Sequence, residues 1–192
     1  CLFGVAKQLQ KETPNSHILD QYSNNNNPDS HYYGTAQEII DEFGDNLDMV
    51  VITTGTGGTI TGIAKKLKES ISNIEIVGVD PVGSILGGGS DISPYHVEGI
   101  GYDFFPEVLD NSLVDRYIKT TDEDSFVMAK KLIKEEGLLI GGSCGAAVWG
   151  AIEAAKNLDP NKNVLVILPD SIRNYLSKFV NEQWLQNNGF KL

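Results

Sequence analysis

The sequence is poor in cysteine, methionine and tryptophan, with two of each among 192 residues. Cys1 and Cys144 cannot build a disulfide framework, and neither belongs to a CxxC pair. A reducing, cytoplasmic compartment is expected. No apolar run approaches the ~18 residues of a membrane-crossing helix, and no secretory leader is visible. Positive charge is scarce. Fifteen basic residues against 26 acidic ones give a formal net charge of −11, which argues against nucleic-acid and anionic-membrane partners. His17, His31 and His96 are scattered, with no ligand-spaced His/Cys/Glu group, so no protein-built zinc site is expected. Hydrophobic residues make up 41% and charged residues 21%, which supports a buried core and argues against extended disorder. Trp149 and Trp184 read as packing residues. The chain opens at Cys1 inside what reads as a helix, so a fragment of a longer protein is expected.

What is present is an alternation of helix and strand signals. Residues 5–12 read as a short amphipathic helix stopped near Pro14, and His17, Ile18 and Leu19 as an extended piece. The polar cluster 24–27 with Pro28 and Asp29 reads as a surface loop. Ala36, Ile39, Ile40 and Phe43 lie at helical spacing over 35–43. The β-branched apolar run 47–54 predicts a buried strand, 55–59 a glycine turn and 60–69 a helix. A second buried strand is expected over 74–79, a long loop over 81–93 and a strand over 113–119. Thr120 or Thr121 predicts an N-cap for a helix that runs to Glu136 and ends at Gly137. A short strand over 138–140, a second glycine loop over 141–145 and a helix to Asn157 follow. A third strong strand is expected over 164–168, with Pro169, Asp170 and Ser171 starting another helix. This order predicts an α/β fold: three layers, a mostly parallel sheet with helices on both faces.

Ligands of such sheets bind at the carboxyl ends of the strands, and three of those ends carry unusual residues. Gly55, Thr56, Gly57, Gly58 and Thr59 stand between a strand and a helix. Their backbone N–H groups can approach an anion closely, the threonine hydroxyls add donors, and the helix dipole adds partial positive charge. No Gly-Lys-Ser/Thr ends the motif, so it is not a Walker loop, and Ile60 breaks the GxGxxG pattern. A tight turn that simply needs small residues is the competing reading. At the second end, Ser143 reads equally as a donor to a bound ring or anion and as an N-cap. Cys144 reads as a small buried residue, because no base adjoins it in sequence. At the third end, Asp170 or Ser171 either caps a helix or lines the same crevice.

These motifs carry a resemblance. The segment 54–62 together with 78–86 (Gly-Val-Asp-Pro-Val-Gly-Ser-Ile-Leu) resembles the fold-type II pyridoxal-phosphate enzymes. Segment 97–104 (Val-Glu-Gly-Ile-Gly-Tyr-Asp-Phe) and segment 168–179, which opens Leu-Pro-Asp-Ser-Ile-Arg-Asn-Tyr, narrow it to the cystathionine β-synthases. Segment 15–21 and the pair His31–Tyr32 fit the same family, and the similarity extends from about Gly4 to Phe190. The resemblance implies pyridoxal 5′-phosphate as cofactor and a β-replacement that joins serine and homocysteine into cystathionine. It implies that Gly55, Thr56, Gly57, Gly58 and Thr59 hold the cofactor phosphate and that Ser143 meets the pyridine nitrogen. Asp170 would lie near the pyridine edge. Gly99, Gly101 and Tyr102 would belong to the loop against the amino-acid substrate, with Tyr102 a catalytic candidate. A neutral hydroxyl at the ring nitrogen, in place of a carboxylate, would weaken the electron sink and favour elimination over transamination. The family also implies a homo-oligomer. On this resemblance, residues 1–192 form one α/β domain, the C-terminal part of a catalytic core, and 1–40 border or belong to a smaller N-terminal subdomain.

The sequence departs from the family in two respects that bear on activity. The Schiff-base lysine lies in a Ser-x-Lys-Asp/Arg segment, and no such segment occurs here; the Thr-Ser-Gly-Asn-Thr-Gly loop is absent too. The chain alone is therefore expected to hold the phosphate site without catalysing the reaction. Haem would require an N-terminal region that these residues do not include. Cysteine synthase, which uses O-acetylserine and sulfide, is the nearest alternative. A non-catalytic truncated binding module is the second, and a dinucleotide-binding dehydrogenase with Asp80 as its acidic residue is a distant third.

Overall fold

In the computed structural model residues 2–191 are described; Cys1 lies outside them. Four strands form one parallel sheet: β1 (Met49–Thr53), β2 (Glu75–Pro81), β3 (Arg116–Thr120) and β4 (Val164–Val166). Their order is β3-β2-β1-β4. The chain therefore leaves β1 on one side to make β2 and β3, then returns to the other side for β4. A crevice opens above the carboxyl ends of β1 and β4, where the order reverses.

The helices are α1 (Leu2–Glu12), α2 (Asn26–Ser30), α3 (Ala36–Phe43), α4 (Gly58–Ser70), α5 (Asp122–Glu136), α6 (Gly142–Ala155) and α7 (Glu182–Asn187). Every residue of β1 is buried, because both faces of the sheet are covered. Strand alternation sends Val50, Ile52 and Ile76 to one face, against Ile60, Ile63 and Leu67 of α4 and Ala36 and Ile39 of α3. It sends Val51, Val77 and Val79 to the other, against Phe126 and Ala129 of α5 and Ala146 and Ala151 of α6. Each such aliphatic side chain contributes about 1.5–3 kcal/mol when fully buried. The three-layer α/β architecture expected from the sequence is the one observed. None of the described helices is long and apolar enough to cross a membrane.

Local signals that act through the backbone are realised where expected. Thr121 and Asp124 form a reciprocal capping box at the start of α5, and Gly137 ends it at φ +70°. Four expectations are corrected. The polar cluster 24–29 is not a surface loop. Asn26 begins a continuous helical run to Phe43, with Pro28 tolerated in its first turn and a π-helical turn over His31–Thr35. There the Ala36 N–H bonds the His31 carbonyl five residues back. Tertiary docking overrides the local loop signal: a Cβ on Gly62 of α4 would stand 2.1 Å from the Pro28 carbonyl oxygen.

The glycines over 141–145 are likewise not a loop. Gly141 is the N-cap, and Gly142 and Gly145 lie in the first turn of α6. Their smallness serves helix packing: a Cβ on Gly145 would stand 2.0 Å from the Ser125 carbonyl oxygen. Residues 138–140 pair only through the single antiparallel bridge of Ile140 with Ser171, because Leu138 and Leu139 face solvent. The chain after Pro169 makes only a 3-10 turn, Ile172–Asn174, before α7. In addition, β4 is shorter than its hydrophobic run, three half-buried residues beside β1. The extended piece 17–19 joins no strand.

Two glycine substitutions separate packing from propensity. Gly145→Ala should force α5 and α6 apart and lower stability by about 2–3 kcal/mol. Gly4→Ala meets no atom within 4 Å and should be neutral or slightly stabilising. Denaturant midpoints of the two variants check both expectations.

Candidate functional site

The turn from β1 into α4 is shaped by what surrounds it. Gly57 adopts a left-handed conformation at φ +87° and is the N-cap of α4. A Cβ there would also stand 2.5 Å from Leu109 Cβ. A Cβ on Gly55 would stand 2.4 Å from the Gly99 carbonyl oxygen. The Gly99 backbone and Leu109 thus fill the space on both sides of the turn, and the start of α4, whose first N–H groups lack an intrahelical partner, adjoins the crevice.

A cavity of about 260 Å³ fills this crevice. It is lined by Gly55, Thr56, Gly57 and Thr59 from the turn, and by Gly99 and Tyr102 from the loop after β2. Ser143 from the first turn of α6 and Asp170 after β4 complete it. Eight of the ten residues singled out from the sequence are thereby brought together around one space. The other two stand behind it. Gly58 is buried against Asn27, so close that a Cβ would stand 1.9 Å from Asn27 Oδ1. Gly101 lines a larger neighbouring cavity of about 600 Å³, which shares Glu98, Gly99, Ile100 and Tyr102 with the first. Gln21 and Glu98 also line the smaller cavity, and sequence reasoning did not single them out. Nor did it single out Asn27 and His31, which bond the two threonines from outside. Gln21, His31 and Glu98 lie inside segments that carry the resemblance, but their places around the turn show only in the fold, where the 21–31 segment docks on α4 and the 97–104 loop reaches the cavity. No lysine or arginine lines the cavity.

The loop over 97–104 is tied down at several points. The Gly101 N–H donates to the Thr54 carbonyl at 2.8 Å. Asp122, at the start of α5, accepts from the N–H groups of His96 and Val97 at 2.7 and 2.8 Å. Ser84 Oγ accepts from the Tyr102 N–H at 2.9 Å. Glu98 pairs with Lys178 across the rim. The Tyr102 hydroxyl meets that of Tyr22 at 3.1 Å. Burial, and then this contact, hold its pKa well above the ordinary tyrosine range. Tyr102 is therefore a neutral donor or acceptor at physiological pH, not a base.

On the opposite wall, the Tyr175 hydroxyl donates to Asp170 Oδ2 at 2.5 Å, and Cys144 Sγ lies 3.3 Å from the Asp170 carbonyl oxygen. Gly141 makes room, since a Cβ there would stand 2.1 Å from Asp170 Oδ1. These contacts fix Asp170 beside Ser143, itself only 3% exposed. Cys144 is fully buried, as its sequence context suggested, and burial raises its thiol pKa. Less thiolate forms at any given pH. Alkylation of Cys144 in the folded protein should be far slower than after unfolding, and should stay slow beyond the usual thiol range near pH ~8.5. Timed iodoacetamide labelling with peptide mass analysis checks this.

Comparison with known proteins agrees with the geometry. The pattern of the pyridoxal-phosphate dependent enzymes matches residues 3–170. A cystathionine beta-synthase from Dictyostelium discoideum is 56% identical over 191 residues, covering 97% of this chain and 38% of that protein. One from Oryctolagus cuniculus is 53% identical over 192 residues, covering 97% of this chain and 35% of that protein. The crystal structure of an O-acetylserine dependent cystathionine beta-synthase from Helicobacter pylori is similar with a TM-score of 0.87 at 41% identity. It is matched by 92% of this chain, which covers 57% of that structure. The chain spans less than two-fifths of the length of the two curated relatives. With a matching pattern over most of its residues and a glycine turn at the switch point of its sheet, the chain belongs to the pyridoxal-phosphate dependent enzyme family.

Proposed function

We propose that the protein containing this chain is a lyase that condenses serine with homocysteine to cystathionine and water, in the cytoplasm. One observation carries the reading: a single cavity is walled by the glycine cradle at the start of α4 and by Ser143 at the start of α6. Those two features suit the two ends of pyridoxal 5′-phosphate. The cradle fits a phosphate group, because any Cβ at Gly55 or Gly57 would collide with its surroundings and the space is left to backbone donors. Bound there, the cofactor supplies an electron sink for the substrate's α-carbon.

The remaining roles belong to this chain's own residues. Thr56 and Thr59 donate hydroxyls to the phosphate. Ser143 offers the ring nitrogen a neutral partner, which supports β-elimination over transamination. Asp170, clamped by Tyr175, closes the ring's edge. The anchored loop with Gly99 and Tyr102 faces the amino acid. The family's Ser-x-Lys segment and asparagine loop are not among these 192 residues, so the reading concerns the protein as a whole.

The H. pylori structure favours one variation, O-acetylserine in place of serine. Turnover of the protein with homocysteine and each donor, read as cystathionine by mass spectrometry, tests both. Serine should be the better donor. A strong preference for O-acetylserine would move the assignment to that chemistry, and no turnover with either donor would leave a binding module.

Tyr102→Phe should lower kcat/KM by roughly five- to tenfold, the effect of one hydrogen bond. Because its pKa is raised, the wild-type pH profile should show no limb from this group below about pH 10. Steady-state kinetics across pH on both proteins check this.

A further inference from the structure

The two cradle threonines are each bonded from behind by the helical run that sequence reasoning took for a loop. Asn27 Nδ2 donates to Thr56 Oγ1 at 3.0 Å and to the Gln21 carbonyl at 2.8 Å. The second bond fixes the orientation of the amide, since a carbonyl accepts only from the NH₂ end. The Gly58 N–H also points at Thr56 Oγ1, at 3.4 Å. Two donors therefore converge on one hydroxyl oxygen. The Thr56 proton is left as its sole donor, and the open side is the cavity that Thr56 lines.

His31 stands in the same relation to Thr59. Its Nε2 lies 3.1 Å from Thr59 Oγ1 and its Nδ1 lies 3.0 Å from Thr35 Oγ1. Two hydrogen-bond directions satisfy this chain of three groups. In one, Thr35 donates to Nδ1, Nε2–H donates to Thr59, and the Thr59 proton turns to the cavity. In the other, every bond reverses and Thr59 presents only lone pairs there. An anion in the cavity selects the first. Half-burial of His31 lowers its pKa, which favours the neutral ring with the cavity empty, and the direction of the chain then follows its tautomer.

We propose that Asn27, His31 and Thr35 are positioning residues that turn the Thr56 and Thr59 hydroxyl protons into the cavity, making the cradle a site of donors only. The inference rests on the cofactor reading above, because it needs a phosphate in the cavity. Thr35 touches nothing in the cavity and offers the cleanest test. In the apo form of the protein, dissociation constants for pyridoxal 5′-phosphate and for inorganic phosphate are measured by titration calorimetry. ¹⁵N spectra of the His31 ring are recorded with and without phosphate. Thr35→Val should weaken both ligands about fivefold, the worth of one neutral hydrogen bond, and Thr35→Ser should restore them. Phosphate should drive His31 to the Nε2–H tautomer. Unchanged affinities in Thr35→Val, or a ring that keeps Nδ1–H when loaded, would overturn the relay while leaving the cofactor site intact. Failure of the wild-type protein to bind either ligand would overturn both.

Discussion

The turn between β1 and α4 has no volume for a Cβ at Gly55 or Gly57, and the rest of the site is arranged around that exclusion. The Gly99 carbonyl occupies the space on one side and Leu109 on the other. Both belong to the long segment between β2 and β3. The same contacts that forbid side chains at the turn therefore bring the 97–104 loop to the cavity, where Gly101 bonds the Thr54 carbonyl. On the far side, Asn27 fills the space above Gly58 and the Pro28 carbonyl that above Gly62. The turn is a close-packed junction of three chain segments, and the cavity lies on its open side.

The strand order explains why the second half of the chain contributes at all. Because β4 returns beside β1, the first turn of α6 and the residues after β4 come to the same crevice as the glycine turn. Ser143 and Asp170 are distant from Thr56 in sequence and face it only because the sheet reverses direction there. Asp170 is then locked by Tyr175, by the Cys144 thiol and by the space that Gly141 vacates.

The sequence made legible whatever is written locally. The buried runs of β1 and β2, the N-cap at Thr121 and the Gly137 stop are all backbone-level signals, and each is realised. The glycine turn and Ser143 stood out in the sequence because they fall at strand ends, and the structure brings them to one cavity. What stayed hidden depends on partners remote in sequence. Gly142 and Gly145 look like loop residues until α5 is laid across them. The Asn-rich stretch before His31 looks unstructured until it docks on α4, whose Gly58 and Gly62 were its only trace. The hydrophobic run after Asn163 promised a longer strand, yet its pairing with β1 ends at Val166.

The lining of the cavity has an electrostatic consequence. The described residues that line the cavity offer backbone N–H groups and short hydroxyls, with no lysine or arginine among them and with Glu98 and Asp170 both present. The chain as a whole carries a formal charge of −11. Its long-range field therefore repels a phosphate that its short-range dipoles attract. Dissolved salt screens the first over about 8–10 Å and barely touches the second. Among the described residues, the opening between β1 and β4 is thus ringed by short-range dipoles inside a negatively charged surround.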